Sequence, residues 1–421
     1  MEGQPDEAAA SQTRQPGGPL DAWRLVVGFG VVSLAGDVVY QGGRSIYGPV
    51  LGALGASASL VGLITGAGEA MALVLRLVSG PLADRTRAYW GLSLLGYGLT
   101  AVCVPLLALS PALGTAGLVF ACLMILTERA GKAIRSPAKT ALLAESARRV
   151  GRGRGFGVHK ALDEMGAVLG PLLVAGVIGL SGRMWPALGW LVIPGLAAIG
   201  VLLWLRTRAP MPARAPAAQT SGGWWAQTVG VGLGPGFFLF AGCGALTTAG
   251  LVSFGVISYH FDVAGVLPLA VIPAVYAAGQ LAAGMAALAN GFGYDRVGPR
   301  VLYALPLLTF MVSVLAFSRT AWIAIVGVLF WGMATGLADS TVSALVADLV
   351  PGARRATAYG VFAAIQGGAA MLGGLMAGLL YERSLPALIA VAGVLQIGAT
   401  VLLAATLRRI SRQAGHADRP A

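Results

Sequence analysis

Eleven of the ionisable side chains that stand inside apolar stretches of this sequence, where most chains keep none, could do chemistry: the acids Asp37, Glu69, Glu128, Asp163 and Glu164, and the bases Arg44, Arg76, Arg129, Lys132, Arg135 and Lys160. A charge at the centre of a hydrocarbon layer costs about 2.5–3.5 kcal/mol, so such residues pair with one another and mark a pathway for ions or solutes. A carboxyl group in that setting gains or loses a proton as its burial and neighbouring cations change, which is the chemistry of proton coupling. The five acids are therefore candidate proton carriers, and the six bases candidates for charge balance or substrate contact. Asp163 is the preferred carrier, because Lys160 lies three residues before it and four before Glu164, a spacing that allows pairing on one helix. Arg129, Lys132 and Arg135 recur every three residues and share one broad helix face. Asp37 and Arg44 share a face of the first apolar stretch, with Glu69 at intermediate depth in the second. His159 suits either a proton relay or a hydrogen-bonded structural role. The second half of the chain offers mainly Asp339 and Asp348.

These residues need helices that cross a membrane to hold them. Of the 421 residues 57% are hydrophobic and only 11% charged, and the mean hydropathy is +0.78. A water-soluble domain has no core large enough for that composition, so the solvent is lipid. Spans are predicted near 24–50, 59–82, 89–109, 115–138, 155–180 and 185–205, and again near 227–259, 264–289, 300–317, 321–348, 356–381 and 385–407. On a ruler of about 1.5 Å per residue from their outer ends, Asp37, Glu128 and Arg129 lie roughly 20 Å deep. Asp163, Glu164, Lys132 and Arg76 lie roughly 24–27 Å deep on the same ruler, so the group forms one layer across spans 1, 2, 4 and 5.

The net charge of +12 raises the question of nucleic acid, and its distribution answers it. Nineteen of the 29 basic residues fall on the side shared by both termini, three (Arg183, Arg319 and Arg383) on the other, and seven within spans. That asymmetry predicts cytoplasmic termini in a cell (inner) membrane, an even number of spans, and no nucleic-acid partner. The polar first 22 residues lack the charged and apolar regions of a cleaved leader, so the first span is expected to stay. Residues 207–223 read as a cytoplasmic linker between bundles at 23–206 and 224–407, with tails at 1–22 and 408–421, and Trp224 and Trp225 fit an interfacial belt. Cys103, Cys122 and Cys243 have no metal-ligand or redox spacing, and neither metal nor cofactor is expected.

The chain repeats itself. Ala141-Leu-Leu-Ala-Glu145 returns 203 residues later as Ala344-Leu-Val-Ala-Asp348, Arg152 aligns with Arg355, and Leu169-Gly170 with Leu372-Gly373. Gly80-Pro-Leu-Ala-Asp84-Arg85 returns at an offset of 211 as Gly291-Phe-Gly-Tyr-Asp295-Arg296. Two parallel six-helix repeats place a solute site between them near the midplane.

The doubled string resembles the G-x-x-x-D-R-x-G-R-K signature of the major facilitator superfamily. The second copy is the fuller, with Gly298 and Arg300, whereas Arg87 stands where the first copy would carry the signature's inner glycine. The resemblance implies an all-α membrane protein of twelve transmembrane helices in two pseudo-symmetric six-helix bundles. It further implies a cytoplasmic gate at Gly80, Asp84, Arg85, Gly291, Asp295 and Arg296. Gly166-Ala-Val-Leu-Gly170-Pro171 resembles the core of a motif associated with antiporters in that superfamily, which implies antiport; the same residues also suit close helix packing. Arg129 to Lys139 and Phe156 to Pro171 resemble strings of one bacterial branch, although Gln41 and Lys160 stand where that branch carries acids.

The function so predicted is secondary active transport of a small organic solute by alternating access, most simply proton-coupled efflux by a monomer. Uptake of an anionic metabolite is the rival, suggested by the surplus of buried cations, and lipid flipping a third. Phe237, Phe238, Phe240, Tyr259, Tyr276 and Gln280 suggest an apolar wall for the solute. The sequence offers no His/Cys ligand set, nucleophile elbow or phosphate loop, so an enzyme is not predicted.

Overall fold

In lipid an unpaired backbone amide has no water to turn to, so apolar runs of this length must close their hydrogen bonds within one helix. The computed structural model describes residues 19–148, 150–208, 233–350 and 355–417, and for 19–21, 152, 340–349, 355–357 and 410–417 it describes the backbone alone. The N-terminal tail to residue 18, the linker beyond Arg208, Trp224, Trp225 and the Asp348 side chain lie outside what is described. Among the described residues there are helices and no strands. The first half comprises α1 (Pro19–Arg44), α2 (Tyr47–Ala53), α3 (Ala58–Thr86), α4 (Tyr89–Leu106), α5 (Gly117–Ala147), α6 (Arg152–Ser181), α7 (Met184–Trp190) and α8 (Val192–Arg206). The second comprises α9 (Pro235–Gly250), α10 (Phe254–Val263), α11 (Val271–Val297), α12 (Ala304–Leu315), α13 (Ala321–Leu349), α14 (Arg355–Arg383) and α15 (Leu385–Ala417).

Ten apolar helical runs are long enough to span a bilayer, and two of them, Tyr89–Ala147 and Val271–Leu315, are 59 and 45 residues long. One crossing needs only about 20 residues. Each of the two runs turns back through a 3-10 segment, Leu107–Ala116 or Gly298–Tyr303, so each crosses twice and the described residues make twelve crossings. Three predicted spans are broken within: the first between α1 and α2, the sixth at Leu191, the seventh between α9 and α10. The fourth runs on to Ala147 instead of ending near 138, because the Ala-, Leu- and Glu-rich stretch 141–145 keeps good helix propensity beyond the hydrocarbon layer. Large apolar side chains face outward, with Leu180 93% and Met285 71% exposed, as lipid contact requires.

The repeat is visible in the packing. The α1–α6 contact has its counterpart in α9–α14, α4–α5 in α12–α13, and α3–α5 in α11–α13. A Cβ on Gly170 of α6 would stand 2.3 Å from the Val38 carbonyl oxygen of α1, and one on Gly373 of α14 would stand 2.4 Å from that of Ala249 of α9. Both pairs carry the sequence offsets, 203 on one helix and 211 on the other.

The halves meet where α3 packs on α14, α6 on α11, and α2 on α10. At the face opposite the termini they share one apolar core that includes Ile46, Val50, Val61, Phe254, Val256, Tyr276, Trp331 and Ala377. Toward the face bearing the termini the cores separate: one gathers Phe29, Trp90, Leu142 and Leu202 of the first half, the other Phe237, Phe240, Phe362 and Leu403 of the second. Among the described residues the halves are sealed together at the opposite face and their cores are parted toward the termini, where α3 and α14 still touch at Leu77 and Gly360.

Candidate functional site

Ser33, Asp37, Tyr40 and Arg44 are spaced by four, three and four residues and so form a single stripe along α1. Arg129, Lys132, Arg135 and Lys139 form a similar stripe on α5, which runs antiparallel to α1. The two stripes meet as rungs. Arg129 donates from Nη1 to the Tyr40 hydroxyl in a short hydrogen bond, and Lys132 sets its ammonium 3.4 Å from the centre of the Tyr40 ring. Arg135 pairs with Asp37 at 3.7 Å, and Lys139 donates to Ser33 Oγ at 2.6 Å.

At the deepest rung three cations surround one phenol ring. Arg44 Nη1 also donates to the Tyr40 hydroxyl, at 3.1 Å, and Arg129 stacks 4.8 Å from the ring centre. Glu69 of α3 accepts from Arg44 Nη2 at 2.6 Å and lies 3.5 Å from Arg129 Nη1. Glu128 approaches Arg129 Nε at 3.8 Å and accepts from Thr100 at 3.4 Å. The stem of Arg129 runs beside Gly68, where a Cβ would meet its Cγ at 2.9 Å. Arg129 is 2% exposed and Glu128 is fully buried, whereas the Glu69 side chain is 33% exposed and that of Arg44 23%. Arg129 and Glu128 are thus the fixed part of the network, and Glu69 and Arg44 the part that solvent reaches.

One step toward the termini, Arg135 lies 4.4 Å over the Tyr97 ring and donates to Thr100 in a short hydrogen bond. A further step on, Asp163 lies 3.9 Å from Lys139 and 3.5 Å from Lys160, which also pairs with Glu164 at 2.6 Å. His159 Nε2 and Ser33 Oγ are 3.3 Å apart. The predicted layer is therefore brought together, in two subsites instead of one: Arg44, Glu69, Glu128, Arg129 and Lys132 around Tyr40, and Asp163, Glu164, Lys160, Lys139 and His159 nearer the termini, with Asp37–Arg135 between. Arg76 is exposed on α3 and lies, with Lys132, within electrostatic reach of Glu69. Across the interface Asp339 of α13 is exposed, yet lies in the bundle interior within reach of Lys160, Glu69, Lys132 and Arg44. Exposed polar groups so deep between the halves mark a cleft that the described side chains do not fill.

Sequence reasoning missed Tyr40, Ser33, Tyr97, Thr100 and Lys139 as members of this network. The signal for Ser33 and Tyr40 was their register with Asp37 and Arg44. The three phenylalanines suggested for an aromatic wall do not form one: Phe237 and Phe240 are buried, Phe240 against Phe362, in the core of their own half, and Phe238 points outward beside Leu402. Tyr276 instead belongs to the seal, where it donates to Gln41 at 2.6 Å and packs against Phe254 and Trp331. Thr65–Ser253 at 2.9 Å, the Ser59 amide to Glu382 at 2.9 Å and His260–Tyr381 at 3.0 Å complete the closure of that face. A Cβ on Gly48 of α2 would stand 2.2 Å from the Gly255 carbonyl oxygen of α10.

At the face bearing the termini Asp84 accepts from Tyr89, in its own half, at 2.9 Å, and Arg85, Asp295 and Arg296 are exposed. Gly80 and Gly291 have no close neighbour for a Cβ. Gly298 has φ +63°, and Arg87, its counterpart at an offset of 211, has φ +55°. The turn survives without its glycine. Gly166 and Gly170 press on the α1 backbone at Leu34 and Val38, so the packing role of that string is realised.

Comparison with known proteins agrees with this architecture. The family described as Major Facilitator Superfamily matches residues 34–292 and 274–421. An uncharacterized protein of Mycobacterium tuberculosis is 47% identical over 385 residues, covering 91% of this chain and 93% of the relative. An uncharacterized MFS-type transporter of Methanocaldococcus jannaschii is 30% identical over 145 residues, 34% of this chain and 35% of the relative. Among solved structures, a variant of the nucleoside transporter NupG superposes with TM-score 0.73 at 16% identity, covering 91% of this chain and 99% of its own. A D-xylose–proton symporter superposes with TM-score 0.66 at 15% identity, covering 92% and 97%. At these identities the structural likeness establishes the fold.

Proposed function

The chain belongs to the major facilitator superfamily and is a multi-pass membrane transporter, not an enzyme; from that premise we propose that it moves a small organic solute by proton-coupled alternating access, with Glu69 as the coupling acid. The observation that carries this reading is the position of Glu69. Of the two acids beside Tyr40 it is the one that is partly exposed, and it holds two cations at once, Arg44 at 2.6 Å and Arg129 at 3.5 Å. Protonating it releases Arg44 into the cleft, and ionising it recaptures Arg44, so the proton alters the very surface that a solute meets. Asp163 and Glu164, at the cleft mouth among Lys139 and Lys160, are an entry relay, with Asp37 between the two levels. Arg129, Glu128 and Arg135 hold the frame.

With cytoplasmic termini in the cell membrane, as the basic loops suggest, the parted face is the cytoplasmic one. Asp84, Arg85, Asp295 and Arg296, at Gly80 and Gly291, then form a gate that latches when the cleft faces outward, and a monomer carries every part. Direction follows from the sign of the coupling. A solute that competes with the proton at Glu69 is exported by antiport, as the Gly166–Pro171 string implies, and one that binds together with the proton is imported. The packing role of Gly166, Gly170 and Pro171 serves either direction, and the uncompensated cations favour the second.

The test is proton flux into proteoliposomes loaded with a pH-sensitive dye, under an imposed gradient, across a panel of organic acids, amines, sugars and nucleosides. We expect flux stimulated by one chemical class and lost in Glu69→Gln. Solute uptake that carries no proton would defeat the reading.

A further inference from the structure

Four cations face the deep end of the cleft, Arg44, Arg76, Arg129 and Lys132, against three acids, Glu69, Glu128 and Asp339. Two of these acids are already engaged, Glu69 by Arg44 and Arg129 and Glu128 by Arg129, and Asp339 forms no ion pair among the described residues, although it lies within electrostatic reach of Lys160 and Lys132. Asp163 and Glu164 are held by Lys139 and Lys160, and Asp37 by Arg135. Lys132 is left over. Among the described residues it has neither an ion pair nor a hydrogen bond, and its ammonium rests half-buried on the Tyr40 ring. A cation on an aromatic face recovers at most about 2 kcal/mol, while desolvating an ion costs several. Two further cations share the same ring, and the carboxylates within electrostatic reach of Lys132, among them Asp37 and Glu69, are ion-paired to other bases. Arg76, exposed on α3, is likewise without an ion pair among the described residues.

We infer that Lys132, with Arg76, is the seat of the transported solute, and that the solute is a small organic anion bearing a carboxylate or a phosphate. This rests on the proton-coupled reading of the same cleft and fixes its sign. The groups around Glu69 are Tyr40 and Arg44 of α1, Arg76 of its own helix, Glu128, Arg129 and Lys132 of α5, Tyr276 of α11 and Asp339 of α13. At that level α14 contributes only uncharged residues, Gly367 and Ala370. With Glu69 ionised the set carries one surplus positive charge, and with Glu69 protonated two, with Arg44 freed to join Lys132. A proton and an anion therefore bind cooperatively, which is symport, and an inward proton gradient imports the anion. A cation or a neutral solute would leave Lys132 uncompensated.

The experiment is equilibrium binding by thermal unfolding of the full chain in detergent, with matched probes: lactate and lactamide, succinate and succinamide, glycerol 3-phosphate and glycerol, and choline. The carboxylate and phosphate arms distinguish the two anion chemistries. We expect stabilisation by anionic members alone, weakened about thirtyfold or more in Lys132→Gln and retained in Lys132→Arg. Lys132→Met should raise the ligand-free melting temperature by about 2 °C, since it removes an unpaired ion. Stabilisation by no anion, equal stabilisation by the neutral partners, unchanged affinity in Lys132→Gln, or a lowered melting temperature in Lys132→Met would overturn the inference. In Glu69→Gln anion binding should become independent of pH. Anion binding that needs Lys132 but ignores pH in the unaltered protein would leave the anion site standing and remove the proton coupling.

Discussion

Gly48→Ala probes whether the closed face is one of two alternating states. A Cβ there would lie 2.2 Å from the Gly255 carbonyl oxygen, 2.4 Å from Ser258 Oγ and 2.4 Å from the Tyr259 amide nitrogen. Two of these three are backbone atoms and cannot rotate away, so α2 and α10 must part by about 1 Å to restore contact distances. Overpacking of this kind costs about 1–3 kcal/mol. Because the clash exists only while this face is closed, that energy shifts the equilibrium between closed and open by about 5–150-fold. Spin labels on Ala53 and Val263, exposed at the ends of α2 and α10, report this face, and labels on Ala88 and Val297 report the other. The expected result is a longer Ala53–Val263 distance together with a shorter Ala88–Val297 distance. Gly176→Ala, where a Cβ meets nothing within 4 Å, should change neither. A widening at Ala53–Val263 with no response at Ala88–Val297 would refute the reasoning, since it would mean that the two faces are not coupled.

Asp84→Asn and Asp295→Asn should slow transport with expression unchanged if the proposed gate operates, because each removes a charge from it; unaltered rates in both would argue for a turn that merely fixes topology. Arg87→Gly should stabilise the protein by about 1 kcal/mol in thermal unfolding, since φ +55° is a strained conformation for arginine and not for glycine. Arg129→Ala should cost about 3–5 kcal/mol of stability, and Glu128→Gln in the same chain should recover part of it. Recovery of transport as well in that double variant would place Arg129 outside the solute's path.

Much of this architecture is legible in the sequence for physical reasons. Twelve crossings follow from apolar runs of bilayer length, and the doubled Asp84-Arg85 and Asp295-Arg296 strings disclose two halves before any contact is known. What resists reading is the pairing. The three-residue spacing of Arg129, Lys132 and Arg135 gives a face but not its partner, and only the α1–α5 packing assigns Asp37 to Arg135 and Tyr40 to the other two. Asp163 is the acid that local spacing singles out, because Lys160 is near it in sequence. Glu69 gains its cations from two other helices, which no spacing within α3 reveals. The aromatics failed for a related reason: in a span every face is apolar, so Phe237 and Phe240 carry no mark that tells core from cleft.

The measurement that bears most directly on the central claim separates exchange from accumulation in Glu69→Gln. In proteoliposomes preloaded with the transported solute and held at equal pH on both sides, exchange of labelled solute should continue, since the cleft and Lys132 are intact. Under an imposed pH gradient the same variant should no longer accumulate solute above equilibrium, whereas the unaltered protein should. Accumulation by Glu69→Gln to the level of the unaltered protein would contradict the assignment of proton coupling to Glu69.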